Sequence, residues 1–137
     1  MIKLAKGFTL IVPTKDNEGH SIDWQAPVKE LASVAGGATV NDCEGYWTDK
    51  GTLYKDVNKA VQVSYMDTNK NAYQVTRALG SIVMDLLGDA GKQLAVSVQG
   101  ATGLMIFDRT DTFQGIQTAL MQDAGYLQGT NAEAVKA

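Results

Sequence analysis

The chain has 137 residues, 45% of them hydrophobic and 20% charged, with a net charge of -3 and a single cysteine and histidine. That balance belongs to a globular chain the size of one domain, able to bury a core of its own. Lone Cys43 excludes an internal disulfide or a thiolate cluster, lone His20 leaves too few ligands for a His/Cys zinc site, and the acidic balance argues against a nucleic-acid partner.

The opening Met1–Gly7 is too interrupted for a secretory signal, and no stretch approaches about 20 consecutive apolar residues. No membrane partner is expected, and the cytoplasm is the expected location. Phe8-Thr9-Leu10-Ile11-Val12 is an apolar, β-branched run stopped by Pro13, which predicts a strand. The polar run Lys15-Asp16-Asn17-Glu18-Gly19-His20 reads as a loop, with His20 solvated rather than catalytic.

Asp23 is placed to cap a helix in which Pro27 falls in the first turn and Trp24, Val28, Leu31, Ala32 and Ala35 share a face, ending at Gly36-Gly37. Two extended stretches follow, Ala38 to Trp47 and Leu53 to Met66, joined through Thr48–Thr52 with Gly51 in the turn. In the second, Val57, Val61, Val63 and Tyr65 alternate with Asp56, Asn58, Ala60, Gln62 and Ser64, so one face is apolar and the other polar.

Asp67-Thr68-Asn69 offers caps for a second helix with the stripe Val75, Leu79, Ile82, Val83 and Leu86, stopped by Gly88 or Gly91. Gln93 to Gln99 alternates Leu94, Val96 and Val98 against polar or small residues, which predicts another half-buried strand. Gly103–Phe107 adds an edge strand, and Thr112 caps a short helix carrying Phe113, Ile116, Leu120 and Met121.

The order β-α-β-β-α-β predicts an α+β, ferredoxin-like unit: an antiparallel sheet with two helices on one face, plus a C-terminal strand and helix. The core is expected in residues 8–99, with an extension over 100–124 and fraying from about Gly125. Polar strand residues on the uncovered face (Asp56, Asn58, Gln62, Ser64, Ser97, Gln99) either face water or meet a second copy. With the apolar stripe of the last helix, they make a homo-oligomer the expected state.

Tyr46, Trp47, Tyr54 and Tyr65 concentrate the aromatic residues around the hairpin. They either fix its register or line a pocket for a planar or cationic group. Asp56, read as opening a strand on the polar face just after these rings, is the acid placed to hold an ammonium group; Asp42 and Glu44 are the other candidates. Gly36-Gly37 and Gly100-Ala101-Thr102-Gly103 match no phosphate-binding fingerprint and read as turns.

Four stretches together resemble the phage-encoded S-adenosylmethionine lyases: Phe8 to Thr14, Glu44-Gly45-Tyr46-Trp47, Lys59-Ala60-Val61-Gln62-Val63 running to Asp67 and on to Val75-Thr76-Arg77, and Ala101-Thr102-Gly103-Leu104. The resemblance implies a trimer that binds S-adenosylmethionine between subunits and cleaves it to methylthioadenosine and homoserine lactone as a phage counter-defence, with no metal or cofactor. By the same resemblance the acid would be Asp56, the hairpin aromatic Tyr46 or Trp47, and the loop after the first strand Val12-Pro13-Thr14. This chain carries Asp where that family carries Glu, and offset along the strand. The alternatives are a module that sequesters a nucleotide-like ligand or a host protein, and a structural oligomer.

Overall fold

The computed structural model describes residues 1, 2, 4 and 6–126. Its elements are β1 (Lys6–Pro13), α1 (Gln25–Ala35), β2 (Thr39–Asp49), β3 (Thr52–Tyr65), α2 (Asn69–Leu87), β4 (Ala95–Gln99), β5 (Leu104–Asp108) and α3 (Phe113–Asp123). The five strands form one sheet in the order β2-β3-β1-β4-β5, and every neighbouring pair is antiparallel. The fold is therefore α+β, and β1 lies at the centre of the sheet.

Strand alternation decides where the core sits. Phe8, Leu10 and Val12 of β1, Val61, Val63 and Tyr65 of β3, Val96 and Val98 of β4 and Phe107 of β5 are all buried. Pairing sets Phe8 opposite Val63, Leu10 opposite Val61 and Val98, and Val96 opposite Phe107, so these residues share one face. Leu31 of α1 and the stripe Val75, Leu79, Ile82, Val83 and Leu86 of α2 join the same cluster, as do Ile116, Leu120 and Met121 of α3. All three helices cover that face.

The helix starts follow the expected capping chemistry with one shift. Thr68 accepts from the Asn71 N–H, and Asn71 Oδ1 accepts in return from the Met66 N–H at 2.9 Å. Thr112 likewise accepts from the Gly115 N–H at 3.0 Å. Trp24 occupies the cap position of α1, yet the carboxylate of Asp23 beside it receives the Gln25 and Ala26 N–H groups.

Three expectations need correction. The hairpin turn is only Lys50-Gly51, with φ of 51° and 80°. Two consecutive positive φ values match the strand twist, so both strands run closer to the tip than the sequence suggested. Leu94 lies before β4 and is exposed, because the strand begins only at Ala95. Finally, α3 is no spare surface awaiting a partner: Ile116 and Leu120 are fully buried against the rest of the chain, so the core extends well beyond residue 99.

The segment expected to fray lies outside the described residues except for Gly125 and Tyr126. Tyr126 is tied down, its N–H donating to Met121 O and its hydroxyl to Asp67. Nearby, Asp123 accepts from the Ala101 and Thr102 N–H groups at 2.8 and 2.9 Å and from the Thr102 hydroxyl. A Cβ on Gly100 would fall 2.2 Å from that carboxylate, so the turn between β4 and β5 needs glycine there. No helix among the described residues is long and apolar enough to cross a membrane.

Candidate functional site

Pairing between β1 and β3 stops at Pro13 opposite Asn58, whereas β2 and β3 stay paired out to Asp49 and Thr52. Beyond Asn58 the hairpin is therefore a two-stranded ribbon, with no third strand beside it among the described residues. It exposes Tyr46, Trp47, Leu53, Tyr54 and Val57. Exposed apolar side chains gathered on a ribbon in this way, here on both of its faces, mark a contact surface.

The two faces of the ribbon carry different chemistry. On the face turned away from the helices, Trp47 stands opposite Tyr54 and Gly45 opposite Asp56. The Trp47 and Tyr54 rings stack at 4.3 Å with 16° between their planes. Trp47 Nε1 donates to Asp56 Oδ2 at 2.9 Å, and Asp56 Oδ1 has no partner among the described residues. Gly45 places no side chain over Asp56, so this oxygen stays open.

On the other face Tyr46 donates to Glu44 Oε2 at 2.7 Å, and Lys55 Nζ lies 3.2 Å from Glu44 Oε1. The Tyr46 hydrogen bond, helped by Lys55, holds the Glu44 carboxyl below the usual range. The same contacts push the Tyr46 hydroxyl and the Lys55 ammonium up. Both Glu44 oxygens are thus engaged. Asp42 is engaged as well, in an ion pair with Lys59, whose ammonium also sits 4.6 Å above the Trp24 ring.

The sequence-predicted residues therefore separate. Asp56, Trp47 and Tyr54 come together on one face, and Tyr46 lies on the opposite one. Asp56 lies inside β3 rather than at its start, because the tight turn lets the strand begin at Thr52. Tyr65 belongs to the core, stacked on Phe8 at 5.7 Å, where burial pushes its hydroxyl's ionisation well up. Among the polar-face residues, Asn58 is nearly buried beneath Gly45, while Leu104 and Ile106 of β5 are exposed. Since they stand opposite Gln99 and Ser97, the uncovered face is less polar than alternation in β3 and β4 implied.

Val12 and Pro13 end β1, and Thr14 follows it directly, tied to β3 rather than lying in a free loop. The Val12 side chain is buried and Pro13 has no N–H to offer. Thr14 donates both its N–H, at 3.3 Å, and its hydroxyl, at 2.6 Å, to Val57 O. That double contact anchors the base of the ribbon next to Asp56.

Two other clusters emerge that sequence reading did not assemble. Asp16, Glu18 and His20 converge within 4.8 Å of one another, with His20 Nδ1 at 3.3 Å from Asp16 and Lys92 Nζ at 3.3 Å from Glu18. The Lys92 ammonium already meets Glu18, and the His20 ring already meets Asp16. A groove of about 540 Å³ between the helices is lined by Glu30, Val34, Tyr73, Arg77 and Phe113, and includes none of the site residues expected from sequence.

No protein-family model matches this chain, and no curated protein matches it either. Two solved structures do. One is a phage SAM lyase in complex with S-methyl-5'-thioadenosine, with a TM-score of 0.58 at 12% identity, covering 82% of this chain and 98% of the lyase. The chain shares the fold of a phage SAM lyase. A phage SAM lyase in the apo state matches over the same shares of both chains, with a TM-score of 0.52 at 13% identity. At these identities the likeness to the lyases is one of fold.

Proposed function

We propose that this protein binds S-adenosylmethionine at the hairpin ribbon and cleaves it to methylthioadenosine and homoserine lactone, as a phage counter-defence enzyme. The observation that carries this reading is the match over 98% of a phage SAM lyase that itself holds S-methyl-5'-thioadenosine, one of the two products. Asp56 supports it from the chemistry of this chain: a carboxylate with one open oxygen stands beside exposed aromatic rings. That combination suits a ligand with an ammonium at one end and a planar base at the other.

The reaction asks little of side chains. The substrate's own carboxylate oxygen bonds to Cγ while the Cγ–S bond breaks, and the electron pair stays on sulfur, which becomes the neutral thioether of methylthioadenosine. The protein's task is to hold the carboxylate in line with that bond and exclude competing geometries. In this account Asp56 fixes the α-ammonium, and so the attacking carboxylate beside it. Trp47 supplies an apolar wall and the backbone at Val12-Pro13-Thr14 bounds the site, while Tyr46, on the other face of the ribbon, meets the ligand held by a neighbouring copy.

An open ribbon in one subunit makes half a pocket, so the reading includes a homo-oligomer, a trimer in which a second copy closes each site. It also takes β1–β4 with α1 and α2 as a ferredoxin-like unit, extended by β5 and α3. A second reading, sequestration of a nucleotide-like ligand without turnover, is favoured by the acid itself. Asp is one methylene shorter than the family's Glu, enough to lose attack geometry while keeping a charge contact.

The test is incubation of the purified chain with S-adenosylmethionine and product analysis by mass spectrometry, alongside calorimetry and light scattering. Equimolar methylthioadenosine and homoserine lactone are expected, from an assembly larger than a monomer. Binding without products selects sequestration. Neither binding nor products overturns both readings and leaves a structural oligomer.

A further inference from the structure

Asp56 faces Gly45 across the ribbon, so no directly opposite side chain fixes the direction of its carboxylate. The group that does reach it is diagonal. Trp47 Nε1 donates to Oδ2 at 2.9 Å, and the indole plane is itself set by the stack on Tyr54 at 4.3 Å. Diagonal neighbours across a strand pair lie within reach of a side chain as long as tryptophan.

We propose that Trp47 is a positioning residue which, braced by Tyr54, holds Asp56 so that Oδ1 alone is presented to an incoming cation. The inference rests on the reading that Asp56 receives the ligand's ammonium group. It adds the chemical class accepted there. With one oxygen already holding a donor, Oδ1 is the uncontested acceptor, which suits a single N–H of a primary ammonium better than the parallel pair of a guanidinium. Tyr54 enters the site as a brace with no ligand contact required, and Trp47 acts through Asp56 as well as through its own surface.

The test compares the parent chain with Trp47→Phe, Asp56→Ala and the double variant, using two probes. S-adenosylmethionine carries the ammonium; S-methyl-5'-thioadenosine lacks it. Phenylalanine keeps a ring for Tyr54 to stack on and removes the donor, and the S-methyl-5'-thioadenosine probe reports the loss from its smaller ring. Trp47→Phe is expected to weaken S-adenosylmethionine about tenfold and to leave S-methyl-5'-thioadenosine within about twofold. In the Asp56→Ala background it should cause no further loss. Equal weakening of both probes, or losses that add in the double variant, overturns the proposal, since Trp47 would then act only by touching ligand.

A measurement without ligand separates this claim from the adenosyl reading. The indole N–H resonance of Trp47, assigned by its absence in Trp47→Phe, should show a hydrogen-bonded shift and slow exchange that are both lost in Asp56→Ala. An unchanged resonance overturns the positioning role. If the parent binds neither probe, the adenosyl reading fails and the indole resonance alone decides whether Trp47 holds Asp56.

Discussion

The two ends of the sheet use similar residues to opposite purposes. At the end where β4 turns into β5, the Asp123 carboxylate is nearly buried and takes two backbone N–H groups and a hydroxyl. Tyr126 beside it donates to Asp67, and burial together with that contact pushes its hydroxyl up to about 12. At the ribbon end Asp56 and Tyr46 are exposed, and Asp56 keeps an oxygen free. A carboxylate whose acceptors are filled from within supports the fold; one held by a single donor at the surface is available to something outside it.

That contrast breaks down unless α3 belongs to the covered end. Leu120 is fully buried, so Leu120→Ala should cost about 2–5 kcal/mol in denaturant unfolding, and truncation before Thr112 should abolish folding. A truncated chain that stays folded and merely loses oligomers would restore the idea of a docking tail. Next in size, Asp123→Ala leaves the Ala101 and Thr102 N–H groups without their acceptor, and a loss of about 2–3 kcal/mol is expected from the same measurement. Gly100→Ala should destabilise as well, since its Cβ would meet the Asp123 carboxylate.

At the ribbon the expected order of effects reverses. Asp56→Asn should change unfolding by less than about 0.5 kcal/mol, as surface substitutions do, yet weaken S-adenosylmethionine by about 1.5–3 kcal/mol in calorimetry. Equal effects on both quantities would erase the distinction between the two ends. The smallest effect concerns pH. Glu44 is held below its ordinary value in the folded hairpin, so its contribution is present above the unfolded carboxyl's range and is lost as pH falls through the depressed folded value. Amide protection factors in residues 44–57, taken relative to the intrinsic exchange rate at each pH, should therefore fall in acid, and Glu44→Gln should lack that dependence.

Much of the covered end was legible in the sequence. Alternation in Phe8, Leu10 and Val12, the stripe from Val75 to Leu86, and the caps Thr68 and Thr112 each rest on local periodicity or local hydrogen bonding, which a sequence displays directly. The destination of α3 was not legible, because an amphipathic stripe states that a face will be covered but not by what. Asp123 was missed for a similar reason: its partners lie 21 and 22 residues away in the chain.

The ribbon was read in composition and misread in register. Its aromatic residues and Asp56 were identified, but Lys50 adopts a positive φ that non-glycine residues rarely take, and this shortened the turn. The paired strand runs from Thr52, so Asp56 lies in its interior rather than opening it. Strict alternation then sends Tyr46 and Trp47 to opposite faces, so only Trp47 shares a face with Asp56.

Mapping S-methyl-5'-thioadenosine on the chain by amide chemical shifts tests most directly whether the uncovered end is the ligand site. Shifts are expected across residues 44–57 and at Thr14, with Ala101, Thr102 and Asp123 unmoved. Shifts centred on the turn between β4 and β5, or on the groove around Tyr73 and Arg77, with the ribbon unmoved, would contradict the account.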